Sequence, residues 1–239
     1  MAHDINALRT RFMEMLTTLD VSGNLSELIC SGYSAPDIDE CLEWDVNGGT
    51  YWARSGATKV VIGDEDYDYV IKFQPEKLNF DYCGYEAKVC AEAEKRGYGK
   101  HFAWTAYLFD YDFYYDGEVK TIAIYVSECC DCDAYEVEAR TSKHSYVSFC
   151  DINGYIVDSD EAREAWDASD ACECDDESIV SWACEEWGVD YDGEDTVITF
   201  LRDMKVNDLH CGNWGWCGGE LVLVDYSGFG LLEHRGVRY

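Results

Sequence analysis

A polar loop, a glycine turn and an apolar strand follow one another in the stretch that restricts the possible folds most. Residues 206–213 read Val-Asn-Asp-Leu-His-Cys-Gly-Asn, and residues 221–228 read Leu-Val-Leu-Val-Asp-Tyr-Ser-Gly. Residues 205–209 are predicted to form a short strand or turn, and residues 214–219 to connect two extended segments, with Gly218-Gly219 supplying the positive backbone angles of a tight hairpin. Residues 221–224 are apolar and typical of a buried strand. We therefore expect Asp225, at the end of that strand, to lie close to Asn213 across the hairpin.

The polar residues of this stretch indicate phosphate and metal chemistry. An oxygen from Asn213 and one from Asp225, with phosphate oxygens and water, suit the octahedral preference of Mg²⁺. Asp208 lies on the same loop, five residues before Asn213, and is placed to orient or deprotonate a hydroxyl nucleophile. The plain alternative is an Asn/Asp/Gly turn beside a buried strand.

These residues resemble the catalytic and metal loops of the protein-kinase-like superfamily, where Asp-x-x-x-x-Asn is followed by a strand ending in a metal-binding Asp. The form Asp-Leu-His-Cys-Gly-Asn is more similar to aminoglycoside and choline-type phosphotransferases, and the Asp-Tyr-Ser-Gly-Phe ending is similar to small kinase-like proteins of phages and bacteria. The resemblance implies ATP and Mg²⁺ as cofactors, Asp208 as the base, and Asn213 and Asp225 as metal ligands. His210 either contacts the transferred phosphate or is held by a hydrogen bond within the loop.

Upstream, the pattern changes to three strands at residues 50–54, 59–62 and 67–73. The turn between the first two contains four residues, namely Ser55, Gly56, Ala57 and Thr58. The resemblance to kinases implies that this turn corresponds to the loop that covers the phosphates of the nucleotide. An ordinary hairpin turn explains the same residues equally well.

Lys72 stands within the third of these strands, among apolar neighbours. Burying an ammonium group is costly unless an anion meets it, and the resemblance implies that Lys72 contacts the nucleotide phosphates. The alternative is a lysine on the solvent face of the strand. The next helix, predicted at residues 82–97 with Gly97 as its cap, carries Glu86 on the same face as Val89 and Cys90. The resemblance implies that a glutamate of this helix holds the lysine, and the inward-facing acid, Glu86, is predicted to pair with Lys72.

Two further strands, at residues 102–109 and 121–126, complete a predicted five-stranded antiparallel sheet, with the turn between them around residues 110–112 and 116–117. The segment after the second strand falls where a kinase hinge offers backbone groups to adenine, which points to Glu128 and Cys130. The remaining predicted elements are an amphipathic helix at 5–19, a short helix from Pro36 through Trp44, a strand at 146–149 and a helix at 195–204.

Taken together, the pattern predicts an α+β, two-lobed protein-kinase-like fold. Its parts are a helical extension at residues 1–49, an N-lobe at 50–128 with a five-stranded antiparallel sheet and one main helix, and a reduced, mostly helical C-lobe at 129–239. Within the C-lobe, residues 151–195 form an acidic insert with 17 Asp or Glu residues and one basic residue, Arg163. This insert is interpreted as helices with a charged outer face, or as a docking surface for a cationic small molecule or basic protein.

A net charge of -31 argues against nucleic acid or an anionic membrane as the partner, since both would be repelled. We find no secretory signal and no apolar stretch long enough to span a membrane, so the expected location is the cytoplasm, with reduced thiols. The alternative for some of the 13 cysteines is a zinc site built from two clusters, namely Cys129, Cys130 and Cys132 with Cys172 and Cys174.

Departures from the kinase pattern leave other functions open. Val206-Asn207 stands where kinases usually place His followed by Arg or Gly, and no Ala-Pro-Glu motif follows Asp225. One alternative is a nucleotide-binding pseudokinase that acts as a regulatory interaction module. Another is an acidic protein that occupies a basic partner, which needs only the charge and none of the polar loop.

Overall fold

The computed structural model describes residues 3–23, 25, 42–46, 49–55, 58–74, 80–169 and 175–227. The chain divides into two compact units. Unit 1 comprises Met1–Gly99 and Ala103–Cys129, and unit 2 comprises Lys100–Phe102 and Cys130–Tyr239. The architecture is α+β, as predicted. None of the helices in these ranges is both long enough and apolar enough to cross a membrane.

Unit 1 combines a six-stranded antiparallel sheet with helices. The helices are α1 (Ile5–Val21) and α2 (Tyr82–Arg96). The strands are β1 (Leu42–Val46), β2 (Gly49–Ser55), β3 (Val60–Asp64), β4 (Tyr69–Phe73), β5 (Thr105–Tyr115) and β6 (Glu118–Glu128), in the order β1-β2-β3-β4-β6-β5. Strands β2 to β6 confirm the predicted antiparallel sheet, and β1 extends it at one edge.

Strand β1 corrects the predicted helix from Pro36 through Trp44. Trp44 lies within β1 and pairs with Tyr51 of β2, while residues 36–41 lie outside the described residues. The two strands are paired up to Val46 and Gly49, with an Asn-Gly sequence between them. Asn-Gly is a strong signal for a two-residue hairpin, and here it outweighs the helix-start signal of Pro36.

The β5–β6 hairpin is longer than predicted, because residues 110–112 lie within β5 rather than in the turn. The turn is at Asp116-Gly117, where both residues have positive φ, 50° and 85°. Positive φ at both central positions is what a two-residue hairpin matching the twist of the strands requires. The longer hairpin places eleven residues of each strand in the sheet.

The sheet of unit 1 buries its two faces differently. Side chains of α1, including Phe12 and Leu16, form one hydrophobic core with Val60, Ile62, Ile71 and Phe73 of β3 and β4. The predicted amphipathic helix is thereby confirmed, and its first turn is capped by the Asp4 carboxylate. Because side chains alternate along a strand, Lys72 lies on the opposite face, toward α2.

Helix α2 has the predicted boundaries and the predicted inward face. It begins after Asp81, whose carboxylate accepts the Gly84 backbone N–H, and ends at Gly97 in the left-handed conformation, φ 84°. Glu86 is fully buried, whereas Glu92 lies toward the surface and pairs with basic residues of the same helix, Lys95 and Arg96. Helical periodicity therefore identified the buried acid of α2 correctly.

Unit 2 is mostly helical. Its helices within the described residues are α3 (Ala134–Asn153), α4 (Asp160–Asp167), α5 (Asp176–Trp187) and α6 (Val197–Asp203), and its strands are β7 (Trp214–Cys217) and β8 (Glu220–Leu223). Helix α6 confirms the helix predicted at 195–204. The acidic segment 151–195 forms helices α4 and α5 in its described parts, with Trp182 buried on the inner side of α5.

The strand predicted at residues 146–149 is wrong, because these residues lie inside α3. Their aromatic and β-branched side chains favour strands locally, but the helix is defined at both ends. The Asp133 carboxylate accepts the Glu136 N–H at the start, and Gly154 adopts the left-handed conformation, φ 74°, at the end. Burial of Val137 and Cys150 within unit 2 outweighs the local preference for strand.

Candidate functional site

In unit 1, the predicted ion pair between Lys72 and Glu86 is present. The Lys72 Nζ lies 3.2 Å from Glu86 Oε2. The Lys72 side chain is 5% exposed and the Glu86 side chain 0%, so the lysine is not on a solvent face. Strand β4 places the ammonium on the side of the sheet that α2 covers, and the spacing within α2 turns Glu86 toward it.

A second lysine, Lys59, meets the same carboxylate and was missed. Its Nζ lies 2.5 Å from Glu86 Oε1, and its side chain is 5% exposed. Lys59 stands just before β3, and in the sequence it marks only the start of an apolar run. Its position beside Lys72 depends on how β3 and β4 pair, so no local pattern identifies it.

The residues predicted to meet the rest of a nucleotide are described only in part. Gly56, Ala57 and the side chain of Ser55 lie outside the described residues, and Thr58 is buried. At the predicted hinge, the Glu128 N–H donates to the Trp104 carbonyl at 3.0 Å. An adenine ring that used this N–H would have to replace that hydrogen bond.

The second predicted adenine contact, Cys130, is half-buried at the start of unit 2. Its carbonyl accepts the Cys132 thiol, with Sγ and O 3.5 Å apart. In unit 1, the N–H of the preceding residue, Cys129, donates to the Asp68 carbonyl at 2.8 Å. The backbone around the predicted hinge is thus extensively hydrogen-bonded.

In unit 2, the polar loop at 206–213 is held by hydrogen bonds from its own neighbourhood. The fully buried Trp214 donates its indole Nε1–H to the Leu209 carbonyl at 2.9 Å. The Val206 N–H donates to the Leu201 carbonyl of α6 at 2.9 Å. The Leu209 N–H faces the carboxylate of Asp176, the first residue of α5, at 3.4 Å. These contacts anchor the loop without the His and Arg or Gly that kinases usually place before the aspartate.

Asn213 and Asp225 lie next to each other, as the hairpin pattern predicted. The Asn213 carbonyl accepts the backbone N–H of Val224 at 2.8 Å and that of Asp225 at 3.3 Å. The Asn213 side-chain Nδ2 donates to the Asp208 carbonyl at 2.8 Å, which assigns the side-chain oxygen as the group able to ligate a metal. The Asp225 Oδ1 accepts the Ser227 hydroxyl at 3.1 Å. Ser227 was not predicted, although it follows Asp225 closely in the sequence.

Asp208 lies in an electrostatically unfavourable position for a carboxylate. Burial raises the pKa of Asp208 above its ordinary value, and the negative charges of Asp225 and Asp176 raise it further, while His210 acts in the opposite direction. His210 itself is exposed, accepts the Gly212 N–H on Nδ1 at 3.1 Å, and places Nε2 3.7 Å from Asp208 Oδ1. The hydrogen bond within the loop, one of the two roles considered for His210, is therefore present.

The donor set of unit 2 fits a magnesium ion better than a closed metal cage. Among the residues that the structure describes, no group of three or more His, Cys, Asp or Glu side chains could hold a metal ion. An amide oxygen and a carboxylate, from Asn213 and Asp225, are typical of Mg²⁺, which keeps several waters and takes phosphate oxygens as further ligands. For the zinc alternative, Cys172 and Cys174 lie outside the described residues.

Comparisons with protein-family models, with characterised proteins and with solved structures gave no significant match. The resemblance to kinases therefore stays a prediction from the residues themselves.

Proposed function

We propose that this chain is an ATP- and Mg²⁺-dependent phosphotransferase of protein-kinase-like fold, which transfers a phosphoryl group to a hydroxyl of a small molecule or protein. The observation that carries the proposal is the arrangement of unit 2, where backbone hydrogen bonds join Asn213 to Asp225 and a side-chain hydrogen bond joins Asn213 to Asp208. Two metal-type ligands and a base that hydrogen bonds hold together match the needs of phosphoryl transfer.

In this proposal, each unit contributes its own group of ligands. The Lys72 ammonium would bind phosphate oxygens, and the buried Glu86 carboxylate, 3.2 Å away, fixes its direction. Asn213 and Asp225 would hold Mg²⁺, which when bound offsets the negative charge of the phosphates. The hydrogen bond from Ser227 to Asp225 Oδ1 keeps that carboxylate in one orientation. Such catalysis depends on positioning and charge neutralisation rather than on covalent chemistry of the protein.

Asp208 would take the proton of the acceptor hydroxyl. Its raised pKa, caused first by burial, brings the carboxyl closer to the working pH, which favours general base catalysis. The Asn213 side chain, through its hydrogen bond to the Asp208 carbonyl, couples the position of the base to that of the metal ligand. The base and the metal ligands therefore act as one unit.

A cavity in unit 2 supports a cationic acceptor. It has a volume of about 450 Å³ and is lined by residues that include Asp175, Glu177, Trp166 and Tyr191. Carboxylates and aromatic faces both attract amines and other organic cations. Asp176, which stands between these two acids in the sequence, accepts the Leu209 N–H at 3.4 Å, so the start of α5 contributes both to the cavity and to the anchoring of the loop.

The test is Mg²⁺-dependent formation of ADP from ATP with a panel of hydroxylated amines and a basic protein as acceptors. The wild type, Asp208→Asn and the control Asp192→Asn are compared. Asp192 is an exposed acid of the same unit. We expect the control to match the wild type and Asp208→Asn to lose at least about 100-fold in rate, the lower range for a general base.

Unchanged turnover in Asp208→Asn would show that Asp208 is not the base. If nucleotide binds but no acceptor is phosphorylated, the chain fits the regulatory pseudokinase better than the enzyme. If it neither binds nor turns over ATP, the proposed function is wrong.

A further inference from the structure

The Glu86 carboxylate in unit 1 lies between two lysines rather than beside one. Each carboxylate oxygen meets a different ammonium group: Oε1 faces Lys59 at 2.5 Å, and Oε2 faces Lys72 at 3.2 Å. All three side chains are at least nine-tenths buried, with 5%, 5% and 0% exposure for Lys59, Lys72 and Glu86. A structural ion pair needs only one of these lysines.

The strand register explains how both lysines reach the same side of the sheet. Val61 of β3 stands opposite Lys72 of β4, and directly opposed residues point to the same face. Lys59 precedes Val61 by two residues and shares that face, because side chains alternate along an extended chain. The intervening residue, Val60, points to the other face and packs in the core with α1. Both ammonium groups therefore face α2.

Two ammonium groups and one carboxylate meet in this buried group. Burying an ion is costly unless an opposite charge meets it, and the Glu86 carboxylate offers that charge to both lysines. A ligand that binds to these ammonium groups must therefore be anionic, as a phosphate is.

We infer that Lys59 and Lys72 form a two-lysine site for the phosphate groups of a nucleoside triphosphate, with Glu86 positioning both ammonium groups. This inference rests on the proposed function, which names the nucleotide, and adds a phosphate ligand to it. Lys59 directly follows Thr58, the last residue of the turn predicted to cover the phosphates. Phosphate oxygens accept charge-assisted hydrogen bonds from ammonium groups, and two donors bind a polyphosphate more tightly than one.

A purely structural role for Lys59 makes a different prediction. If Lys59 only clamps Glu86, its removal lowers the stability of unit 1 but leaves Lys72 paired with Glu86, so that affinity for phosphates stays the same. If Lys59 binds phosphate, affinity falls even where the variant is fully folded. Affinity measured on folded protein therefore separates the two roles.

The experiment is titration calorimetry of wild type, Lys59→Met, Lys72→Met and Lys88→Met with Mg²⁺-ATP and, separately, with inorganic tripolyphosphate. Lys88 is an exposed lysine of α2, so its variant removes the same charge from the same unit. Each protein is first shown to be folded by circular dichroism. We expect Lys59→Met and Lys72→Met each to weaken both ligands by about tenfold to 100-fold, the size of one charge-assisted hydrogen bond, and Lys88→Met to bind like the wild type.

The outcomes distinguish this inference from the proposed function. If the wild type does not bind Mg²⁺-ATP, the proposed function fails and this inference fails with it. If Lys72→Met loses affinity but Lys59→Met binds like Lys88→Met, the phosphate role of Lys59 is overturned while the proposed function stands.

A second measurement keeps the inference testable if Lys59→Met does not fold. The Nζ resonance of Lys59 in ¹⁵N-lysine-labelled wild type is assigned with Lys59→Arg and followed during addition of tripolyphosphate. A shift of the Lys59 and Lys72 resonances, with that of Lys88 unchanged, supports the two-lysine site. A stationary Lys59 resonance at saturation overturns it.

Discussion

Among single residues, Asp208 shows most clearly how the proposed chemistry opposes stability. Its carboxyl is partly buried and lies near Asp225 and Asp176, and both factors raise its pKa in the folded protein. The folded state therefore binds a proton more tightly at this position than the unfolded state does. Stability falls as the pH rises through the window above the unfolded value of about 3.8.

Replacing Asp208 by Asn should raise the free energy of unfolding of the metal-free protein by about 1 kcal/mol near neutral pH. This is the usual gain when a destabilising residue of a functional site is replaced. The gain should vanish in acid, below the unfolded pKa, because the carboxyl is then protonated in both states. Denaturant unfolding in EDTA at several pH values measures the difference in stability between Asp208→Asn and the wild type. Asp192→Asn is the control. A gain that does not depend on pH would contradict the electrostatic explanation.

The two lysines of unit 1 differ in how far they could be predicted. The Lys72–Glu86 pair was predictable, because the resemblance implies a glutamate partner from the next helix and helical spacing selects Glu86. Lys59 was not, because its neighbour across the sheet depends on the register of β3 against β4. Register follows from the packing of the whole sheet, which a local sequence pattern does not contain.

At the scale of the elements, the β7–β8 hairpin and the loop before it form one structural piece, with Trp214 at the join. Its indole Nε1–H holds the Leu209 carbonyl, and its ring packs near Trp187 of α5, with centroids 5.4 Å apart. The next residue back, Asn213, is a proposed metal ligand. Changes to Trp214 should therefore affect both stability and metal binding.

Trp214→Phe should lower the free energy of unfolding by about 2–3 kcal/mol, since it removes a buried hydrogen bond and leaves a smaller ring in the core. The control is Trp216→Phe, in the same strand, where the ring is half-buried with Arg140 above it, 5.2 Å from its centroid. It should cost less than about 1 kcal/mol. Denaturant unfolding of both variants measures the difference. Equal losses would mean that Trp214 does not anchor the loop.

Elements were predictable where local pattern and tertiary packing agree. Strands β2 to β4, helix α2, strand β8 and the Gly218-Gly219 turn each carry a clear periodicity or turn signal, and each is present. Residues 214–217, predicted as a connection, instead form strand β7, and residues 205–209 form no strand. Residues 146–149 have strand propensity but lie inside α3, where caps at Asp133 and Gly154 and burial of Val137 decide the conformation. The helix predicted from Pro36 through Trp44 does not take into account the Asn-Gly sequence that follows Trp44 and favours a hairpin.

For the whole molecule, the net charge is negative, whereas the two lysines proposed to bind phosphate are positive. The net charge of -31 repels a free nucleotide at long range, and such repulsion is screened by salt. The buried Lys59 and Lys72 each place an ammonium group beside the Glu86 carboxylate. A nucleotide complexed with Mg²⁺ carries less negative charge than the free form. We therefore expect nucleotide binding to depend on Mg²⁺.

The most direct test of that claim is a thermal melt of the wild type and Asp225→Ala with ATP plus Mg²⁺, with ATP alone and with neither. A ligand that binds only the folded state raises its stability by mass action, and at 100 times Kd the midpoint should rise by about 5–10 °C. We predict this rise in the wild type with ATP plus Mg²⁺, a smaller one with ATP alone, and loss of the metal-dependent part in Asp225→Ala. No rise in the wild type at millimolar ATP and Mg²⁺ would contradict the account.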